Sequence, residues 1–247
     1  MGDVYPMMYN KEHYAVMANQ IIKGKQTMSL QEAKILRLLI TQVVKEDKDF
    51  KTYQCKIKDL AGFLDITSDN LYRDIQDICR NLMQRVVQIE IDNGNPKKSW
   101  VMFHWMQKAE YDGNGTITLM LSNEVKPYIL ELEKHFTQYQ LENIVQLNSF
   151  YAVRLYELLK SEFFKKELTL TYTMDFLRAF FGCEKKYPLF ADFRKRVIDK
   201  AISEINAKTD IFISDMSYIK TGHAVTSLAF TFHQNIAVMQ QRKALQA

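Results

Sequence analysis

The sequence predicts an α+β protein made of two tandem winged-helix domains related by a pseudo-repeat. Three observations predict it. The order helix, strand, short helix, longer helix, strands occurs twice along the 247 residues. The offset between the copies is nearly constant. The helix starts Ser29 and Ser149 lie 120 residues apart, and Leu60 and Leu177, inside the short helices, lie 117 apart. In each copy a short helix, a turn and a longer helix precede turn-rich strands, which is a helix-turn-helix followed by a hairpin.

Composition narrows the classes. A hydrophobic fraction of 47% with only 8 Gly and 4 Pro fits a packed globular chain and not a loop-dominated sandwich. The formal charge of +4 is unevenly placed. Residues 1–137 hold 18 Lys and Arg against 18 Asp and Glu, whereas residues 138–247 hold 15 against 11. An anionic partner is therefore expected at the C-terminal part. Cys55, Cys79 and Cys183 form neither a disulfide framework nor a zinc spacing, which suits a reducing cytoplasm. No apolar run reaches membrane-spanning length, no basic-then-apolar start suggests a signal peptide, and Pro6 stands where a myristoylation signal needs Ser or Thr.

In the first copy, Asn10 to Gly24 reads as strand or short helix. Ser29 with Glu32 three residues on is a capping box, so a helix is expected from Leu30 to Val44. Thr52–Lys56 reads as a strand and Ile57–Leu64 as a short helix that buries Leu60, Phe63 and Leu64. Thr67 or Ser68 is the expected cap of a helix whose stripe is Leu71, Ile75, Ile78 and Leu82, with Arg73 outward. Val86–Ile91 alternates as a strand, Asn93-Gly94 is hairpin chemistry, and Trp100–Met106 is the return strand. That hairpin reads as a wing with Lys97 and Lys98 at its tip. A second turn at Asp112–Gly115 leads to a strand at Thr116–Leu121, then a short helix at Asn123–Glu133. Phe136–Gln146 carries no clear period, and the domain boundary is placed there, after Thr137.

In the second copy, Ser149–Phe164 reads as a helix, Leu168–Tyr172 as a strand and Thr173–Phe181 as a short helix stopped by Gly182. Lys185 and Lys186 lie in the next loop. Leu189–Asp210 is the long helix. At 100° per residue, Phe190, Phe193, Val197, Ile198, Ala201, Ile202 and Ile205 share one face. Asp192, Arg196, Asp199, Lys200 and Ser203 share the other. Such a helix is either an ordinary surface helix with solvated charges or one whose cations enter a DNA groove. Arg194 falls among the apolar residues on the wheel, where it either snorkels or holds a partner. A hairpin from Ile211 to Phe232 closes the copy, with Gly222 at its turn and Lys220 and His223 near its tip. The tail from Asn235 is helical or frayed.

No motif for catalysis is present. Gly24-Lys25 lacks the rest of a P-loop, and there is no GxGxxG, GxSxG or HExxH. The five histidines, at 13, 104, 135, 223 and 233, have no ligand spacing. A non-enzyme with no metal and no cofactor is expected.

Three blocks carry a family resemblance. NQIIKGKQTMSLQEAKILRLLI resembles the opening, LNSFYAVRLYELLK the start of the second module, and FRKRVIDKAISEINAKTD the second recognition helix of the iteron-binding plasmid replication initiators. The resemblance spans roughly Asn10 to Phe232. It implies a protein that binds short direct repeats (iterons) in double-stranded origin DNA as a monomer and represses its own promoter as a homodimer. It also implies host replication proteins (helicase, primase or initiator) as partners, and no membrane. Residues 1–137 would serve dimerisation and auxiliary DNA contacts, and residues 138–247 the main DNA contacts. Arg196 and Lys200, then Ser203, would reach base edges. Lys185, Lys186, Lys195, Lys97, Lys98 and Lys220 would hold phosphates, with Arg194, His223 and Arg73 as further candidates. The alternatives are a winged-helix transcriptional regulator and a protein-interaction scaffold.

Overall fold

The computed structural model describes residues 3–91, 94, 99–164 and 167–246. The chain divides into two compact units, Met1–Leu141 and Glu142–Ala247.

The first unit runs β1 (Val4–Pro6), β2 (Tyr14–Ala18), α1 (Asn19–Lys23), β3 (Lys25–Gln26), α2 (Leu30–Ile40), β4 (Thr52–Lys56), α3 (Ile57–Phe63), α4 (Leu71–Met83), β5 (Val86–Ile91), β6 (Ser99–His104), β7 (Met106–Tyr111), β8 (Thr116–Leu121), a 3-10 turn (Asn123–Val125), α5 (Lys126–Ile129) and β9 (Phe136–Gln140). The expected boundary after Thr137 falls inside β9. That strand pairs antiparallel with β2, so the first unit keeps it.

The capping box forms. Ser29 Oγ accepts the Glu32 N–H at 3.2 Å, and the Glu32 carboxylate accepts the Ser29 N–H at 3.0 Å. Glu32 also takes a two-pronged hydrogen bond from Arg85 at 2.7 and 3.0 Å, which ties α2 to the start of β5. The helix stops at Ile40, short of the expected Val44, because the Thr41 hydroxyl donates to the Leu38 carbonyl at 2.7 Å. Ser161 makes the same bond to Leu158 at 2.7 Å in the second unit, 120 residues later. On α4, Ile75, Cys79 and Leu82 are buried, while Leu71 and Ile78 are half-buried. Neither Thr67 nor Ser68 caps α4. Asn70 stands at that position, and Ser68 Oγ accepts the Asn70 N–H instead. Phe63, expected in the core, is half-buried against Tyr9.

Trp105 changes the strand plan. Its side chain is fully buried and splits the expected Trp100–Met106 strand into β6 and β7. The two then join different sheets. One has the order β3-β5-β6 and the other β1-β4-β8-β7.

The second unit runs α6 (Glu142–Val145), α7 (Phe150–Lys160), β10 (Glu167–Thr173), α8 (Met174–Phe180), α9 (Phe190–Phe193), a π turn (Arg194–Ile198), α10 (Asp199–Lys208), β11 (Ile211–Thr221), β12 (Ala224–Gln234) and α11 (Ile236–Gln246). Its sheet has the order β10-β12-β11. The tail is helical.

Strand order reassigns the first wing. In the second unit the strand before the short helix pairs with the last strand of the hairpin, and β10-β12-β11 results. The matching set in the first unit is β4-β8-β7. The wing of the first unit is therefore β7–β8, and the β5–β6 hairpin is an insertion paired to β3. Lys97 and Lys98, expected on a wing, belong to that insertion and lie outside the described residues.

All three cysteines are buried. Burial pushes the Cys79 thiol up to about 12, and raises Cys55 and Cys183 as well. The folded chain keeps thiol protons that the unfolded chain sheds near pH ~8.5, so stability is full below that pH and falls above it. Melting temperature measured from pH 7.5 to 10.5 is expected to decline once the pH passes about 9. A flat profile would contradict this burial.

Candidate nucleic-acid interface

The long helical segment of the second unit, α9 through α10, is built from one buried and one open face. Phe193, Val197, Ile198, Ala201 and Ile205 are fully buried, and α10 packs on α7. Phe190 and Ile202, placed on the same face by the wheel, are half-buried. Lys195, Arg196, Lys200 and Ser203 are exposed.

The π turn explains Arg194. The Asp199 N–H donates to the Arg194 carbonyl, five residues back, so the turn holds one residue more than an α-helical turn. Phe193 and Ile198, also five apart, both point into the core. A uniform 100° wheel cannot represent that step and misplaces Arg194. Its side chain is 43% exposed, and its Nε lies 3.3 Å from Asp199 Oδ1. Of the two readings left open by the sequence, it holds a partner.

Arg196 is partly pre-set. Its Nε is 3.8 Å from Asp192 Oδ1, and its guanidinium lies 5.8 Å from the centre of the Tyr187 ring. Tyr187 has φ +53°, a left-handed backbone that only a few side chains adopt, in the loop before α9. Arg178 on α8 pins this loop. Its guanidinium donates to the carbonyls of Lys186 (3.1 Å), Tyr187 (2.9 Å) and Pro188 (3.1 Å), and sits 4.8 Å from the Phe193 ring centre. Lys185 and Lys186 are thereby presented, exposed, beside the start of α9. Sequence reading missed Arg178, because bonding to main-chain carbonyls leaves no side-chain pattern to find.

Asn206 joins α10 to the wing. Its Nδ2 donates to the Ile213 carbonyl at 2.9 Å, and its Oδ1 accepts the Ile213 N–H at 2.7 Å. The hairpin β11–β12 turns at Gly222, φ +61°, and places Lys220 and His223 in the open. Phe190 meets Tyr218 edge-on at 5.9 Å, and the Lys220 ammonium lies 5.5 Å from the Tyr218 ring centre.

The corresponding face of the first unit differs in charge. Arg73 is exposed, with Nε 3.9 Å from Asp74 Oδ1, and Arg80 bonds Asp77 at 2.6 Å. The tip of the reassigned wing has no Lys or Arg at 112–115. Asp112 there accepts the Thr116 and Asn114 N–H groups at 2.9 and 2.7 Å, which hold its carboxyl below the usual carboxylate range. An anion at that tip opposes a phosphate. Among the described residues no group of three or more His, Cys, Asp or Glu is placed to hold a metal ion, and no helix is long and apolar enough to cross a membrane.

Removing Arg178 leaves three loop carbonyls without their charged donor. An Arg178→Ala variant is expected to be cut by trypsin after Lys185 or Lys186 roughly tenfold faster, since a charge-assisted bond is worth ~1.5–3 kcal/mol. Unchanged cleavage would show that the loop holds itself.

Comparison with known proteins places this geometry. The family model described as "Initiator Replication protein, WH1" matches residues 14–160, and "Initiator Rep protein, WH2" matches 173–232. A "Replication initiation protein" of Escherichia coli is 23% identical over 202 residues, covering 78% of this chain and 62% of that protein. The "PI protein" of Escherichia coli is 25% identical over 213 residues, covering 74% and 69%. The chain thus spans less than two thirds of the first relative. A crystal structure of the Pi initiator protein in complex with iteron DNA shares the fold, with a TM-score of 0.73 and 22% identity, over 92% of this chain and 99% of that one. With family models matched over both copies and two winged-helix units in the structure, the chain belongs to the initiator replication protein family.

Proposed function

We propose that the protein initiates plasmid replication by binding direct repeats in double-stranded origin DNA, with the second unit as the main reader. The observation that supports it best is the α9–α10 segment. One side is fully buried, and the opposite side presents Lys195, Arg196, Lys200 and Ser203 to solvent. A helix of this kind can enter a major groove while its scaffold stays packed. The similarity to relatives named as a replication initiator and as Pi, the latter with a structure on iteron DNA, supports duplex DNA as the substrate class.

In this reading Arg196 and Lys200 donate to base edges, with Ser203 as a lesser contact. Arg194, already bonded to Asp199, reaches a phosphate or only supports the helix. Lys185, Lys186, Lys195 and Lys220 neutralise phosphates, and His223 stands next to them on the wing. The first unit, whose α4 arginines lie beside aspartates, makes auxiliary contacts at Arg73 and mainly pairs two chains in a homodimer. The monomer initiates and the dimer represses the gene's own promoter in the cytoplasm. Helicase, primase or a host initiator then joins the opened origin. No catalytic step by this chain is required.

Duplexes enriched from a randomised pool by the full chain provide the test. The double variant Arg196→Ala, Lys200→Ala is expected to lose its preference for the enriched duplex over a scrambled one, by about 1–3 kcal/mol per base contact, while melting as the parent does. Preserved preference would move the reading surface elsewhere. Replacing Lys185 and Lys186 by Ala is expected to weaken both duplexes alike and to lower the log–log salt slope by about one unit per lost phosphate contact. An unaltered slope would remove that loop from the interface.

A further inference from the structure

The last turn of α10 is completed by the tail of the chain. The final carbonyls of a helix have no partner within it. In α10 the tail takes two of them. Asn235 Nδ2 donates to the Asn206 carbonyl at 2.8 Å, and Arg242 Nη2 donates to the Lys208 carbonyl at 2.6 Å. Arg242 also reaches α6. Its Nη1 donates to Asn143 Oδ1 at 3.0 Å and lies 3.4 Å from the Glu142 carboxylate. The same Asn143 oxygen accepts the Asp210 N–H at 3.0 Å, just past the end of α10. One guanidinium therefore ties the C-terminal end of the long helical segment to α6. The helix that carries it, α11, has little apolar anchorage. Among its described side chains none is buried, Val238, Met239 and Arg242 are half-buried, and Ile236 and Leu245 are exposed. A helix of 11 residues is marginal in water by itself. Its place is set by Arg242 and by Asn235, whose Oδ1 accepts the Val238 N–H at 3.3 Å.

We propose that Arg242 is a positioning residue for DNA reading, one that sets the tilt of α10 from its far end without touching the duplex. The proposal rests on the DNA-binding reading above and deepens it. The buried face holds the helix sideways against α7. The tail holds its end. Eight residues at ~1.5 Å each put Lys200 roughly 12 Å from Lys208, so a tilt of about 10° moves Lys200 by roughly 2 Å, enough to lose a base-edge hydrogen bond. Arginine suits the task. Its planar fork serves a main-chain carbonyl and an amide oxygen together, and its charge is favourable at a helix C-terminus. With 13% of its side chain exposed and both Nη groups engaged, Arg242 is poorly placed to take a phosphate itself. Base-edge bonds need direction, whereas lysines on long flexible stems follow a phosphate through a small tilt. Loss of the brace therefore costs sequence preference and leaves non-specific affinity in place.

The test compares Arg242→Ala with Lys243→Ala in the full chain, by fluorescence anisotropy on the enriched duplex and its scrambled counterpart at several salt concentrations. Lys243 is the exposed neighbour on the same helix, so its removal takes away an equal charge and leaves the brace. Arg242→Ala is expected to bind the enriched duplex about three- to tenfold more weakly, with the scrambled duplex and the salt slope unchanged. Lys243→Ala is expected to keep the parent's preference. A mere loss of folded protein would weaken both duplexes alike, so the ratio between them reports aim and not stability. Amide hydrogen exchange in the free protein supplies a second readout. Arg242→Ala is expected to speed exchange over residues 206–210 and to leave α9 as in the parent. Equal weakening of both duplexes with a lower salt slope would make Arg242 a phosphate contact and overturn the brace. An unchanged preference, or one lost equally in Lys243→Ala, overturns it too. Such a result beside a lost preference in the Arg196 and Lys200 double variant overturns the brace alone. Preserved preference in that double variant tells against the parent reading instead.

Discussion

The closure of Phe193, Val197, Ile198, Ala201 and Ile205 away from water is the contact on which the second unit depends. Burying those side chains is worth of order 1.5–3 kcal/mol for each large one, enough to fix the helix against α7. Fixing it has a consequence for the other side. The helix has two faces, and once one is committed to the core the cations at 195, 196 and 200 are left exposed on the other, Arg196 beside Asp192 and the Tyr187 ring. Asn206 then carries the same rigidity to the wing through its paired bonds with Ile213. Helix and hairpin are thereby joined in the surface proposed to read DNA.

The two units show what duplication keeps and what it releases. They keep the frame: Ser-capped helices α2 and α7, the hydroxyl bond that ends each, seven-residue helices α3 and α8, and the strand orders β4-β8-β7 and β10-β12-β11. They release the surface. In the second unit the long helix carries an excess of cations, and its wing ends in Lys220 and His223. In the first, Arg73 and Arg80 lie beside Asp74 and Asp77, and the wing tip holds Asp112. The net charge of the first unit is zero, and moving its boundary from Thr137 to Leu141 adds no charged residue, so the whole +4 belongs to the second unit. Equal frames with unequal surfaces are consistent with the proposed division of labour between a reading unit and a pairing unit.

Legibility followed the range of the interaction. Local chemistry was readable: Ser29 with Glu32, the alternation of Val86–Ile91, and the turns at Gly94 and Gly222. Pairings between distant segments were not. The β9–β2 pair, which sets the boundary, joins residues more than 100 apart, and nothing in Phe136–Gln140 names its partner. The first wing was assigned to the nearest hairpin, because sequence shows that β5 and β6 pair but not that β8 pairs with β4. Trp105 gives no sign that it ends one strand and starts another. At the interface, Arg196, Lys200 and the loop lysines were legible as cations outside an apolar stripe. Arg194 was misplaced because the wheel assumes one pitch and the segment contains a π turn. Arg178 was missed because its bonds go to main-chain carbonyls.

A photocrosslinking side chain at position 203 tests the central claim most directly. Ser203 is exposed on the open side of α10, seven residues beyond Arg196. With the enriched duplex bound, crosslinks are expected at major-groove base positions within the bound site, and a crosslinker placed at Gln76 on α4 should give far fewer. Base crosslinks from position 76 with none from position 203 would mean that the second unit's long helix is not the reader.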